Sequence, residues 1–246
     1  FDRYVQFEIV PVSAGDGDLD SNLPAQTPVS GENSALLLPG SKESKDATVR
    51  YLNSSSVPAN GNYAVEARVK IPKGGTRSAG IFAHYQAANA FHLFFIKPGA
   101  VLFKRLNEDS TSVNDMAVTT NVDIKTDTWY SLRLECNEKC FKGYVDGKLV
   151  LDVMDSGAAP TRLKGVPGLR TDRMYAYFDD FRVTSLDGST VYYKNDFEYA
   201  TAASVKTDFV YAMGTEDLTV TAPKTKTWLE MVGNPESIAV LGENSW

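Results

Sequence analysis

Residues 129–183 decide the fold. They read WYSLRLE (129–135), FKGYVDGKLVLDV (141–153), GVPGLRT (165–171) and MYAYFDDFRV (174–183). The runs Trp129 to Cys136 and Cys140 to Val145 alternate as a strand pair. Asp146-Gly147 then turns the chain into Lys148 to Val153. Asp-Gly between alternating runs favours a tight two-residue turn, because both central positions take positive φ. A glycine-rich loop follows, then a strand interrupted by Asp179-Asp180. Phe178, Phe181 and Val183 all read as core. Strict alternation cannot put Phe178 and Phe181 on one face, so a bulge is predicted between them.

The same pattern extends upstream. Tyr63, Val65, Ala67, Val69 and Ile71 alternate with Glu66, Arg68 and Lys70, and Pro72-Lys73-Gly74-Gly75 ends that strand. Further strands are predicted over 79–86, 91–97 and 101–106, joined by Ala87-Ala88-Asn89-Ala90 and Pro98-Gly99. No segment reads as an amphipathic helix. Many short strands with Gly, Pro and Asn turns predict an all-β antiparallel sandwich or jelly roll. Residues 11–62 are richer in Ser, Asn, Asp, Gly and Pro and read as loop-heavy. One domain is expected over 1–185. Residues 186–246 read as a β-rich segment packed on the sandwich, or as the start of a repeated module. Lys194-Asn195-Asp196-Phe197-Glu198 echoes Tyr4-Val5-Gln6-Phe7-Glu8.

The 246 residues are 43% hydrophobic and 23% charged, enough for a full core without covalent staples. Net charge is −6 and no basic stripe appears, which argues against a nucleic-acid partner. No apolar run approaches the ~20 residues of a membrane-spanning helix. Cys136 and Cys140 flank three residues. If those three form the hairpin loop, the thiols face each other and a disulfide is open to them, as expected of a secreted protein; otherwise both are free. Their spacing makes half a zinc site, and no second pair exists.

Residues 63–183 resemble the concanavalin-A-like, laminin-G-like jelly-roll superfamily. NYAVEARVKI is similar to its first core strand and AGIFAHYQAANAFHLFFI to its strand–turn–strand pair. DTWYSLRLE, GYVDGKLVLDV, GVPGLRT and YAYFDDFRV are similar to the later strands and closing loop. The resemblance implies an extracellular or cell-surface scaffold, a polysaccharide or oligosaccharide ligand and further modules in a larger chain. It also implies a structural calcium ion joining the last strand to the N-terminal segment, with Glu8 and Asp180 among its ligands. Two adjacent carboxylates need a counter-charge, which calcium would supply.

Fold does not fix function on such a scaffold. Non-catalytic carbohydrate binding is the first expectation, through aromatic stacking and side-chain hydrogen bonds. Glu66, Arg68, His84, Tyr85, Gln86, His92, Phe94 and Arg105 are its candidate residues. A uronate-polymer lyase is the second. It would use His84 or Tyr85 as base, with Arg68 and Lys104 to neutralise the carboxylate. A structural or adhesive module is the third. The paired-carboxylate strand motif of the superfamily's retaining glycosidases does not occur, and Glu135 and Glu138 read as solvated turn charges.

Overall fold

The computed structural model describes residues 6–12, 33–38, 47–87, 90–106, 113–198, 202–212 and 219–220. Its strands are β1 (Gln6–Val12), β2 (Asn33–Leu38), β3 (Ala47–Leu52), β4 (Tyr63–Lys70), β5 (Ala79–Ala87), β6 (Ala90–Lys97), β7 (Ala100–Leu106) and β8 (Val113–Thr119). There follow β9 (Trp129–Asn137), β10 (Cys140–Val145), β11 (Lys148–Met154), β12 (Val166–Asp172), β13 (Ala176–Thr184), β14 (Val191–Asn195), β15 (Phe209–Tyr211) and β16 (Thr219–Val220). One sheet runs β11-β10-β9-β4-β13-β2-β1-β16, with β14 also on β13; the other runs β15-β3-β12-β5-β6-β7-β8. Pairing is antiparallel except between β1 and β16. This is the β-sandwich that the alternation predicts.

Its core lies between the sheets. Tyr63, Val65, Ala67 and Val69 of β4 meet Ile81, Ala83, Phe94, Ile96 and Phe103 of the second sheet, all essentially without solvent contact. Burying the valine, isoleucine and phenylalanine side chains among them contributes about 1.5–3 kcal/mol each. The second sheet is apolar on its other face too. Val49, Phe82, Phe91, Leu93, Phe95 and Leu102 form a separate buried cluster there, flanked by Tyr51 and Tyr85.

Two bulges set which side chains reach the interior. In β13, Asp180 takes φ +48 and the ladder to β4 shifts between Asp179 and Arg182. Phe178 and Phe181 consequently both face the core, as predicted. In β5, His84 takes φ +63 and the ladder to β6 shifts between Ala83 and Ala87. Ala83 and His84 then both point inward, while Tyr85 points out. The Asp146-Gly147 turn has positive φ at both residues, +49 and +74, as its sequence predicts.

Three readings are corrected. β2 and β3 lie in the segment read as loop-heavy. GVPGLRT is mostly strand β12, not a closing loop. A short helix, Ala202–Asp208 (α1), and a 3-10 turn, Pro160–Leu163, are present where no helix was expected. Cys136 and Cys140 are free: the turn tightens through Glu138 (φ +53), setting Cys136 opposite Phe141 and Cys140 opposite Asn137.

The chain after 185 joins both sheets. β14 pairs with β13, and β15 pairs with β3. Most of the chain beyond 212 lies outside the described residues.

Candidate functional site

The eight candidate carbohydrate-binding residues do not share a surface. Phe94 is fully buried between the sheets, where its ring lies against Gly143. His84 and His92 are each 1% exposed. Glu66 and Arg68 stand on the outer face of the first sheet, and Tyr85 on that of the second. Gln86 donates its amide N–H to the carbonyls of Thr161 and Lys164, the latter at 2.7 Å. Arg105 is turned toward Asp155. The lyase quartet of His84, Tyr85, Arg68 and Lys104 is dispersed in the same way.

The histidines form a buried polar chain. His84 Nε2 donates to the Gly61 carbonyl at 2.8 Å, and His84 Nδ1 lies 3.2 Å from His92 Nδ1. His92 Nε2 is 3.1 Å from Asp155 Oδ2, and Arg105 donates to Asp155 Oδ1 at 2.6 Å. With Nε2–H facing a carbonyl, neutral His84 accepts at Nδ1, and His92 Nδ1–H is the donor. Burial and the neighbouring His92 lower the pKa of His84 to about 3. Burial also lowers that of His92, against the pull of Asp155. Asp155 is raised by burial, but hydrogen bonds from His92 and Arg105 outweigh this and leave it below its ordinary value. Rings closed off in this way tie the β5 bulge to the loop before β12; they do not reach a polymer at the surface.

Tyr85 stacks on Tyr51, ring centroids 4.8 Å apart, and burial raises its pKa. The raised pKa disfavours its phenolate. Tyr63, inside the sandwich, donates its hydroxyl hydrogen to the Gly165 carbonyl and accepts the His84 N–H.

The outer face of the first sheet is a charged ladder. Glu66 sits between Arg182, at 2.6 Å from Nε, and Arg133. Arg133 also donates to Glu135, which accepts from Tyr144 at 3.1 Å. Further along, Trp129 lies on this outer face, with Arg68 and Lys70 over its ring at 5.1 and 5.4 Å.

Asp179 and Asp180 already face a cation. Arg68 Nη1 is 3.9 Å from a carboxylate oxygen of each. Asp179 also accepts the backbone N–H of Asp180 at 2.7 Å. Burial and then the Asp180 charge drive the pKa of Asp179 well up, against Arg68. Among the described residues, no three His, Cys, Asp or Glu side chains gather to hold a metal ion. Glu8, the other ligand that the resemblance implies, has its side chain outside the described residues.

A cleft of about 270 Å³ opens on the outer face of the second sheet. Leu93, Phe95 and Leu102 lie at its base, and Thr76, Arg77, Ser78, Lys97, Lys104, Arg170 and Asp172 line it. Lys104 Nζ sits 5.7 Å from the Phe95 ring centre. Arg170 and Asp172 alternate with inward Leu169 on β12, so both face the cleft. The Nε of Arg170 is shielded from solvent and has no hydrogen-bond partner. Burial lowers the pKa of Arg170, against the raising effect of Asp172. Reading GVPGLRT as loop hid these residues. The signal was the alternation Gly168, Arg170, Asp172 against Leu169 and Thr171.

No protein-family model and no curated relative matches the chain. Solved structures of similar shape include the carbohydrate-binding module CBM66 from Bacillus subtilis, at 19% identity and TM-score 0.45, covering 65% of this chain and 90% of that one. Sheep galectin-11 with glycerol is similar at 13% identity and TM-score 0.42, over 55% of this chain and 96% of that one. Domain 4 of AbnA, a GH43 extracellular arabinanase from Geobacillus stearothermophilus bound to arabinotriose, is similar at 17% identity and TM-score 0.39, over 61% and 66%. At this level of similarity none of them assigns a function to this chain.

Proposed function

We propose that this protein is a non-catalytic carbohydrate-binding β-sandwich that seats a sugar unit in the cleft on the outer face of the second sheet. The cleft carries the reading. Its base is apolar (Leu93, Phe95, Leu102), and its walls offer hydroxyls at Thr76 and Ser78, a carboxylate at Asp172 and a guanidinium at Arg170. Sugars present an apolar ring face and a rim of hydroxyls, which such a lining matches. At about 270 Å³ the cleft is at the small end of ligand pockets, suited to one unit of a chain. Affinity is then modest, since much of the polymer stays in water.

The reading carries with it a location where polysaccharide is met, outside the cell or at its surface. It accords with the carbohydrate-binding names among the similar structures and does not rest on them.

The test is a glycan array, followed by titration of the best ligand into wild type and Thr76→Trp. Thr76 is exposed, so the bulky ring fills the cleft without entering the core. Binding lost in the variant supports the site; binding unchanged removes it. Incubation with alginate, pectin and glucuronan should give no rise in the ultraviolet absorbance of unsaturated uronates. A rise would make the protein a lyase.

A further inference from the structure

We infer that this cleft selects sugars bearing a carboxylate, with Arg170 as the residue that reads it; the inference rests on the carbohydrate reading of the same site. Four cationic side chains line the cleft, Arg77, Lys97, Lys104 and Arg170, against one carboxylate, Asp172. Asp172 is itself partnered, its Oδ1 3.2 Å from Arg173 Nε. The lining is therefore strongly positive on a chain whose net charge is −6. Such a concentration draws an anionic ligand toward a low-dielectric cleft.

Arg170 gives the charge a direction. Its Nε–H is out of contact with water and meets no acceptor. The side chain itself lines the cleft, so its charge is presented to whatever enters. The guanidinium is a flat fork whose geometry matches a planar carboxylate. A hydroxyl would satisfy the hydrogen bond but leave the charge unanswered. A uronic acid residue provides both the carboxylate and the apolar ring face that the base of the cleft accepts. The cationic side chains along this wall bind and orient, so the inference is one of recognition.

The experiment compares oligogalacturonate and oligoglucuronate with the same oligomers after reduction of the carboxyl to a primary alcohol, plus a sulfated neutral glycan. Calorimetric titration should show binding of the uronates, at least tenfold weaker for the reduced forms. Raising salt should weaken the uronates and leave the reduced forms unchanged. In Arg170→Gln, with an unchanged melting temperature, the two forms should bind equally weakly, and Arg170→Lys should recover part of the preference. Equal binding of acidic and reduced oligomers to wild type overturns the selectivity while the carbohydrate reading stands. Tighter binding of the sulfated glycan than of the uronates overturns the choice of carboxylate. Absence of binding to every glycan removes both readings.

Discussion

His84 Nδ1 and His92 Nδ1 lie 3.2 Å apart inside the sandwich, on strands joined by a short turn. The contact exists because the β5 bulge turns His84 inward to meet a side chain already facing the core.

Acid should unfold this protein through that pair. Burial holds the pKa of His84 near 3, well below its unfolded value. The unfolded chain therefore takes the proton first. The contribution is complete above about pH 6.5 and is lost as pH falls, by roughly 1.4 kcal/mol per unit, down to about pH 3. His92 shifts in the same direction. Asp179, whose pKa is raised, works the other way. Urea midpoints from pH 7 to pH 4 for wild type and His84→Gln separate the two, and the variant should show the shallower slope. Equal slopes would exclude His84 as the cause.

Arg105 is expected to matter for stability more than its partial exposure suggests. It is the charge partner of Asp155, which is 2% exposed. Arg105→Leu leaves that carboxylate buried beside one histidine, at a cost of about 3 kcal/mol. Chemical denaturation at pH 7 measures it. A loss below about 1 kcal/mol would place the pair with ordinary surface contacts.

The two cysteines should titrate as free thiols without reductant, one quickly and one only on unfolding. Cys140 is partly exposed, whereas Cys136 is fully buried and burial raises its pKa far above the ordinary thiol value. A thiol reagent in native buffer should label Cys140 alone, and in denaturant both. No label in denaturant would reveal a disulfide.

Chelation should leave the melting temperature unchanged, because Arg68 already stands against Asp179 and Asp180. Arg68→Ala should lower it by removing that charge. A fall on adding EDTA, restored by calcium, would instead support a bound ion at Glu8 and Asp180.

What the sequence made legible depended on whether a strand has one buried face or two. β4 keeps charges on its outer side, so its alternation is plain. The apolar spacing of β13 required a bulge at Asp179-Asp180, and one is there. β5 and β6 pack on both sides, with Ile81 and Phe94 inward and Phe82 and Leu93 outward. Apolar residues on both faces erase the alternation, and with it any sign that the register slips at His84. The histidines consequently read as surface groups. Arg170 was hidden for a different reason: two glycines and a proline made β12 look like a turn. In fact Gly168 sits where a Cβ would come within 2.0 Å of the Arg50 carbonyl oxygen, so close strand approach accounts for it.

The pairing of β15 with β3 joins Phe209 to Leu52 across most of the described chain. During synthesis from the N-terminus, that edge of β3 stays open until Phe209 to Tyr211 have been made. Such distant pairing slows folding and leaves an adhesive edge exposed while it waits. The order of events is thus written into the topology: the hairpins of β5 to β8 and β9 to β11 can close as they emerge, and the sheet edge at β3 is among the last to be sealed.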